Sequence, residues 1–251
     1  MTTVSNAPSP ISCGENMDPI RDSKLTGLSR LEKLILEHVV RDRITTNEMI
    51  QKRFLEMRHP SAVTRITSRL TERGWLCAFP LLYPTKYFVA GKRTASAYGL
   101  ASGRTQPMGP QSLPTEYAIL EYTAANSSCV RRLTCDEIRT LIPWYGEEHT
   151  NIAHCHRETT DGWCLELLRV DLGGSADHVA RKCKGDLESR LTQDKFRELV
   201  NSGGFSIVVI TGSTAKAEAV LQSLDQHVWP SGIVFRTSVF FSLIPLLPRS
   251  L

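Results

Sequence analysis

Between Leu31 and Leu70 the apolar positions fall at helical spacing three times. Leu31, Leu34, Ile35 and Val39 form one set, Met49, Ile50 and Phe54 a second, and Val63, Ile66 and Leu70 a third. A period near 3.6 residues puts each set on one helix face. Two of these helices carry their own start signal. Ser29 with Glu32, and Thr45 with Glu48, have the S/T-x-x-E spacing in which hydroxyl and carboxylate satisfy orphan N–H groups reciprocally. The third starts at Pro60, where the missing N–H costs nothing, and stops at Gly74. On this helix Ser61, Arg65, Ser68, Arg69 and Glu72 point away from the apolar stripe, and Trp75 is expected to fold back and close the core.

Two β-prone runs follow, at 75–80 and 86–90, around a turn containing Tyr83, Pro84 and Thr85, and a helix is expected from Lys92. Residues 1–24 are rich in Ser, Pro, Asn and Asp without apolar periodicity and read as a leader outside the core. The stretch 101–114, ASGRTQPMGPQSLP, loses both periods and reads as a linker between a domain at 25–100 and another at 115–251. In the second domain helices are expected at about 115–125, 134–141 and 214–226. Another carries Val179, Cys183, Leu187 and Leu191 at four-residue steps. Strands are expected at 151–156, 163–171, FSIVVIT and about 233–241, which describes a sheet with helices packed on it.

Charge changes the picture more than composition does. The net charge is +4, but Thr26 to Arg104 holds 14 Lys and Arg against 6 Asp and Glu. That segment is therefore +8 and the remainder −4. A basic front half suits a polyanionic partner. Seven cysteines, odd in number and without a C-x-x-C pair, fit a reducing cytoplasm. The apolar run from Gly232 to Leu247 is broken by Arg236 and Pro245, so no membrane span is expected.

Three helices, a two-stranded hairpin and a closing helix, with RLTERGWL and KYFVAGKRTASAYGL at the junctions, resemble a winged helix-turn-helix. That resemblance implies a third helix lying in the major groove of double-stranded DNA. His59, Ser61, Arg65, Ser68 and Arg69 would then read base edges, and Lys86, Lys92 and Arg93 would hold the backbone. A module of the same fold that binds protein instead is the competing use.

The stretch LELLRVDLGGSADHVARKCKGDL behind such a domain resembles the plasmid replication-relaxation family. The expected fold class is thus an α+β winged helix in front of an α/β domain similar to the PD-(D/E)XK nucleases. The resemblance places Asp171, Gly173 and Lys182 at the family's acidic strand end, turn and helix lysine. A hydrolytic site of this kind needs at least two carboxylates converging on Mg²⁺. Here Ile152, Ala153 and His154 stand where an acid is expected, and Glu166 and Asp171 are five apart, on opposite faces of a regular strand. Arg169 is expected to pair with Asp171. The reading is a DNA-binding protein of plasmid or mobile-element type acting in replication control or transcription, needing no cofactor. A Mg²⁺-dependent nuclease using Glu166, Asp171 and Lys182 is the alternative, and a homodimer or a replication protein is the partner expected besides DNA. His149, His154, Cys155, His156 and Cys164 lack a zinc-ligand spacing. Thr211-Gly212-Ser213 reads as a tight strand-to-helix turn, and Trp144 and Tyr145 as packing residues.

Overall fold

A computed structural model describes residues 24–160 and 162–247. Apart from Lys24, the expected leader lies outside the described residues. The described residues form a mixed α and β structure with two sheets, one in each half.

Helix α1 (Arg30–Asp42) opens with the expected reciprocal cap: Ser29 accepts from the Glu32 amide, and the Glu32 carboxylate accepts from the Ser29 amide at 2.8 Å. Its inner arc is centred on Ile35, Leu36 and Val39. Leu34, expected inside, is exposed, because Glu32 is anchored on the buried side and turns the helix about its axis. The second cap also differs from expectation. Thr46, not Thr45, accepts from the Met49 amide to start α2 (Asn47–Phe54). Thr45 is drawn away by a 3.0 Å bond to buried His38, and Thr45–Thr46 form a short strand, β1. Helix α3 (Pro60–Glu72) is capped by His59, whose Nδ1 accepts from the Ser61 amide.

A hairpin of β2 (Leu76–Leu82) and β3 (Thr85–Ala90) follows, and β1 pairs with β3, giving the sheet order β1-β3-β2. Gly74 makes the turn from α3 into the hairpin with φ +72°, a conformation cheap only for glycine, while the Trp75 amide reaches back to Leu70 O. Gly91 opens helix α4 (Lys92–Tyr98) against that turn, so closely that a Cβ would lie 2.3 Å from Gly74 O. Trp75 is buried beside Leu70, Ile50, Val63 and Phe88, as its apolar bulk requires. Each such fully buried large side chain contributes about 1.5–3 kcal/mol relative to exposure.

The segment read as a linker is ordered against its neighbours. It holds a 3₁₀ turn at Ser102–Thr105, the Met108 amide donates to Tyr87 Oη, and helix α5 (Ser112–Ala125) starts within it.

In the second half β4 (Val130–Arg132), β5 (His154–Thr159) and β6 (Gly162–Val170) run antiparallel. Strands β7 (Phe205–Thr211) and β8 (Val234–Val239) extend the sheet in parallel with β6. Helix α6 (Cys135–Leu141) lies between β4 and β5 in sequence. The crossover from β6 to β7 uses α7 (Ala176–Arg190) and α8 (Asp194–Asn201), and α9 (Thr214–Asp225) links β7 to β8. One sheet face packs Leu168, Val208 and Ile210 against α5, and the other packs Leu165, Leu167, Ile207 and Val209 against α7, α8 and α9. The strand expected at 151–156 sits three residues later, because β5 closes tightly on β6 with Thr159 opposite Gly162. β4, α8 and β1 were not expected.

The halves share a core. Ile44, Met49, Tyr87 and Val89 from the first pack with Tyr117 and Leu120 of α5. Polar ties run beside it: Arg41 donates to Arg132 O and Glu137, and buried Arg132 donates to Asp42 O and Glu116.

Candidate nucleic-acid interface

Helix α3 is held from behind and presents its polar face outward. Val63, Thr67 and Leu70 are buried, and Thr67 Oγ1 donates to Asn47 Oδ1 at 3.0 Å, which locks α3 to α2. Outward stand Ser61, Thr64, Arg65 and Ser68, all exposed. They occupy successive turns of one face of a helix that is about 20 Å long. Arg65 makes no hydrogen bond or ion pair with any described residue, so its guanidinium is available to an external acceptor. Thr64 and Ser68 also line a groove whose opposite wall is the hairpin, with Lys86 exposed on β3. The tip of the hairpin carries Tyr83, fully exposed.

The eight residues read from the sequence as DNA-contacting do not form one set. Ser61, Arg65, Ser68 and Lys86 border the α3 face and the groove. His59 and Ser61 spend polar atoms on each other at the cap, at 2.9 Å. Arg69 is turned to Glu32, with both Nε and Nη2 3.0 Å from Oε1, and so is a bracket between α3 and α1 rather than a free reader. Burial would raise the Glu32 carboxyl, but the Ser29 amide and hydroxyl and the Arg69 charge hold it below its ordinary value. Arg93 lies over the Trp75 ring, 5.3 Å from its centroid, at the opposite end of α3 from His59. Lys92 beside it is exposed.

The +8 of the front half is distributed unevenly. Arg41 and Arg43 pair with Glu137 and Glu116 of the second half, and Arg104 donates to Val40 O at 2.6 Å beside the same boundary. Three of the basic residues that made the segment look like a DNA surface are thus engaged at the boundary between the halves. Tyr83 and Thr64, conversely, were not singled out. An aromatic side chain beside Pro84 in the expected hairpin turn was the available signal for Tyr83.

The acidic positions of the second half are not brought together. Glu166 is fully buried on the α5 face, where it accepts from Tyr122 Oη at 2.6 Å, from Arg236 at 2.8 Å and from Arg157 Nε. Burial and the Glu166 carboxylate beside it raise the Tyr122 phenol above its ordinary range. Asp171 follows β6. Its Oδ1 accepts from the Gly173 amide at 3.2 Å, and its Oδ2 lies 3.7 Å from Lys216. Arg169, expected to pair with Asp171, instead grips Asp186 of α7, because its place in β6 turns it to the α7 face. Lys182 is exposed on α7 and pairs with no described residue.

The histidines near β5 are structural. His154 is buried, accepts or donates at Tyr145 Oη at 2.9 Å, and is pushed down to about 3 by burial and by Arg190. Cys155 faces the opposite side of the sheet, and its thiol is raised by burial. Among the described residues no three His, Cys, Asp or Glu side chains converge as a metal site. No described helix is long and apolar enough to cross a membrane.

Comparison of the chain with protein-family models, with curated proteins and with solved structures gives no match.

Proposed function

We propose that this protein binds double-stranded DNA through α3 and the β2–β3 hairpin, acting as a winged helix, with a PD-(D/E)XK-like sheet domain behind it that does not cut. Arg65 carries the reading: it is an exposed guanidinium with no described partner in the first half of a helix whose other exposed side chains there are the small Pro60, Ser61 and Thr64. Small residues let a helix approach base edges, and the planar Arg fork matches O6 and N7 of guanine. Lys86 across the groove supplies a phosphate contact, and β1 pairing with β3 gives the hairpin the support that a wing needs. The role we assign is control of replication or transcription on a plasmid or mobile element.

The non-cutting part rests on donor chemistry. Glu166 already accepts three charged or phenolic donors, which leaves it no incentive to bind Mg²⁺, and Asp171 stands beside Lys216. A single carboxylate next to an ammonium group is a poor magnesium ligand.

The experiment uses the full chain. Duplexes enriched from a random pool should bind with an affinity that falls steeply as salt rises. Supercoiled plasmid should stay intact in Mg²⁺ or Mn²⁺ over hours. No retention of any duplex at low salt defeats the DNA reading. Nicking lost specifically in a folded Asp171→Ala variant defeats the non-cutting one.

A further inference from the structure

The basic residues that turn away from α3 meet in a cleft of about 670 Å³ between the two halves. Arg43 enters from the end of α1, Arg104 from the 3₁₀ turn, Arg132 from β4 and Lys182 from α7. Their carboxylate partners do not balance them. Glu116 is shared, lying 2.6 Å from Arg43 and 2.6 Å from Arg132. Arg104 has only the Val40 carbonyl, and Lys182 has no described partner. Arg169 and Arg41 also line the cleft but are neutralised by Asp186 and Glu137, and Asp171 is met by Lys216. Arg43 and Arg132 share Glu116, the buried Asp42 carboxylate also acts on Arg132, and Arg104 and Lys182 have none, which leaves two positive charges in excess.

Such an excess is costly to hold without a counter-ion. Arg132 is buried, and Arg43 keeps a buried Nε that no described atom accepts from. Burial, with Arg43 and Arg132 beside it, lowers Arg104 to about 10. Arg43 also takes φ +70°, the one non-glycine residue in that region among those described, which points a long cation to this place at a backbone cost. The same cleft is also lined by apolar Ile119, Leu133, Ile138, Leu168 and Val179.

We propose that the cleft binds a small phosphate-bearing ligand of nucleotide size, its phosphates held by Arg43, Arg104, Arg132 and Lys182 and its ring against apolar residues of the lining. Guanidinium forks match phosphate oxygens, and the excess charge suits a diphosphate better than a single carboxylate. Because the cations come from both halves, the ligand would act as a clamp between them. The site does not depend on the DNA-binding reading.

The test titrates the full chain, without DNA, by calorimetry and thermal shift, using pyrophosphate, ADP and citrate as probes. Pyrophosphate and ADP should bind and raise the melting temperature, ADP more tightly, and citrate should bind more weakly than either. Arg104→Gln keeps a donor for Val40 O and removes the charge; it should weaken both phosphates about tenfold or more, the loss of one charge-assisted bond. Lys182→Gln, exposed and unpaired, should weaken them in the same direction and serves if the Arg104 variant does not fold. No binding of either phosphate at millimolar concentration overturns the proposal. So does binding that neither variant weakens, or citrate binding as tightly as pyrophosphate.

Discussion

Replacing Arg65 by alanine separates a reading role from a structural one. Arg65 is exposed and touches no described partner, so its loss should change folding stability by no more than about 0.5 kcal/mol. If its fork holds a base, binding to the selected duplex should weaken by about 1–3 kcal/mol, or roughly 5- to 150-fold. Arg69→Ala is the internal control. Its guanidinium is half exposed and bonded to Glu32, so it should cost about 0–1 kcal/mol of stability and little affinity. Fluorescence anisotropy with the selected duplex and a scrambled one, at about 50 and about 200 mM salt, reads both effects. Arg65→Ala should lose the preference for the selected duplex, whereas a phosphate contact such as Lys86→Ala should weaken both duplexes and lower the salt slope by about 1. A folded Arg65→Ala protein with unchanged affinity, beside an Arg69→Ala protein that no longer binds, would refute the assignment.

Acid should lower stability over two successive pH windows. His154 has a folded value near 3, below its ordinary 6.5, so the unfolded chain takes up the proton first. Its contribution is complete above pH 6.5 and is lost as pH falls, with a slope of at most about 1.4 kcal/mol per unit. His154→Phe should flatten thermal stability between about pH 6.5 and 5, with His149 and His156, also lowered by burial, leaving a residual slope. An unchanged slope would show that His154 is not buried in its neutral form. Asp42 and Glu137 are held below their ordinary 3.8 and 4.5, against burial, by His38 and by Arg41 respectively; their contribution is present above those values and lost as pH falls through the folded ones. Gly91→Ala should destabilise the fold by about 1–3 kcal/mol or more, read as a lower melting temperature, since its Cβ would collide with the Gly74 carbonyl, and an unchanged melting temperature would refute the close approach. Glu166→Ala should cost about 3–5 kcal/mol by stripping the buried side of Arg157, measurable by urea unfolding, and a near-neutral result would mean the network is solvent-compensated.

The helices and hairpin of the front half were legible because each announces itself locally, through Ser29 and Glu32, Pro60, Gly74 and the apolar periods. β1 was not, since Thr45 and Thr46 become a strand only by pairing with Tyr87 and Phe88, some forty residues away. Outward direction on α3 was legible from period alone, so Ser61, Arg65 and Ser68 emerged together. Partner choice was not. Nothing near Arg69 in sequence announces Glu32, and nothing near Arg169 announces that Asp186 outcompetes Asp171 for it. The cleft was invisible for the same reason: Arg43, Arg104, Arg132 and Lys182 are spread along the chain, and segment charge assigned two of them to the wrong surface.

The apolar seam where Ile44, Met49, Tyr87 and Val89 meet Tyr117 and Leu120 has a consequence for how this chain can be cut and recombined. A fragment ending in the 101–114 stretch would bare that seam to water and would be prone to aggregate, despite carrying every residue proposed to touch DNA. Grafting the front half onto an unrelated partner would meet the same obstacle. The two halves therefore travel as one heritable unit, and a homologous exchange that leaves a working protein must bring α5 along with the helices it covers.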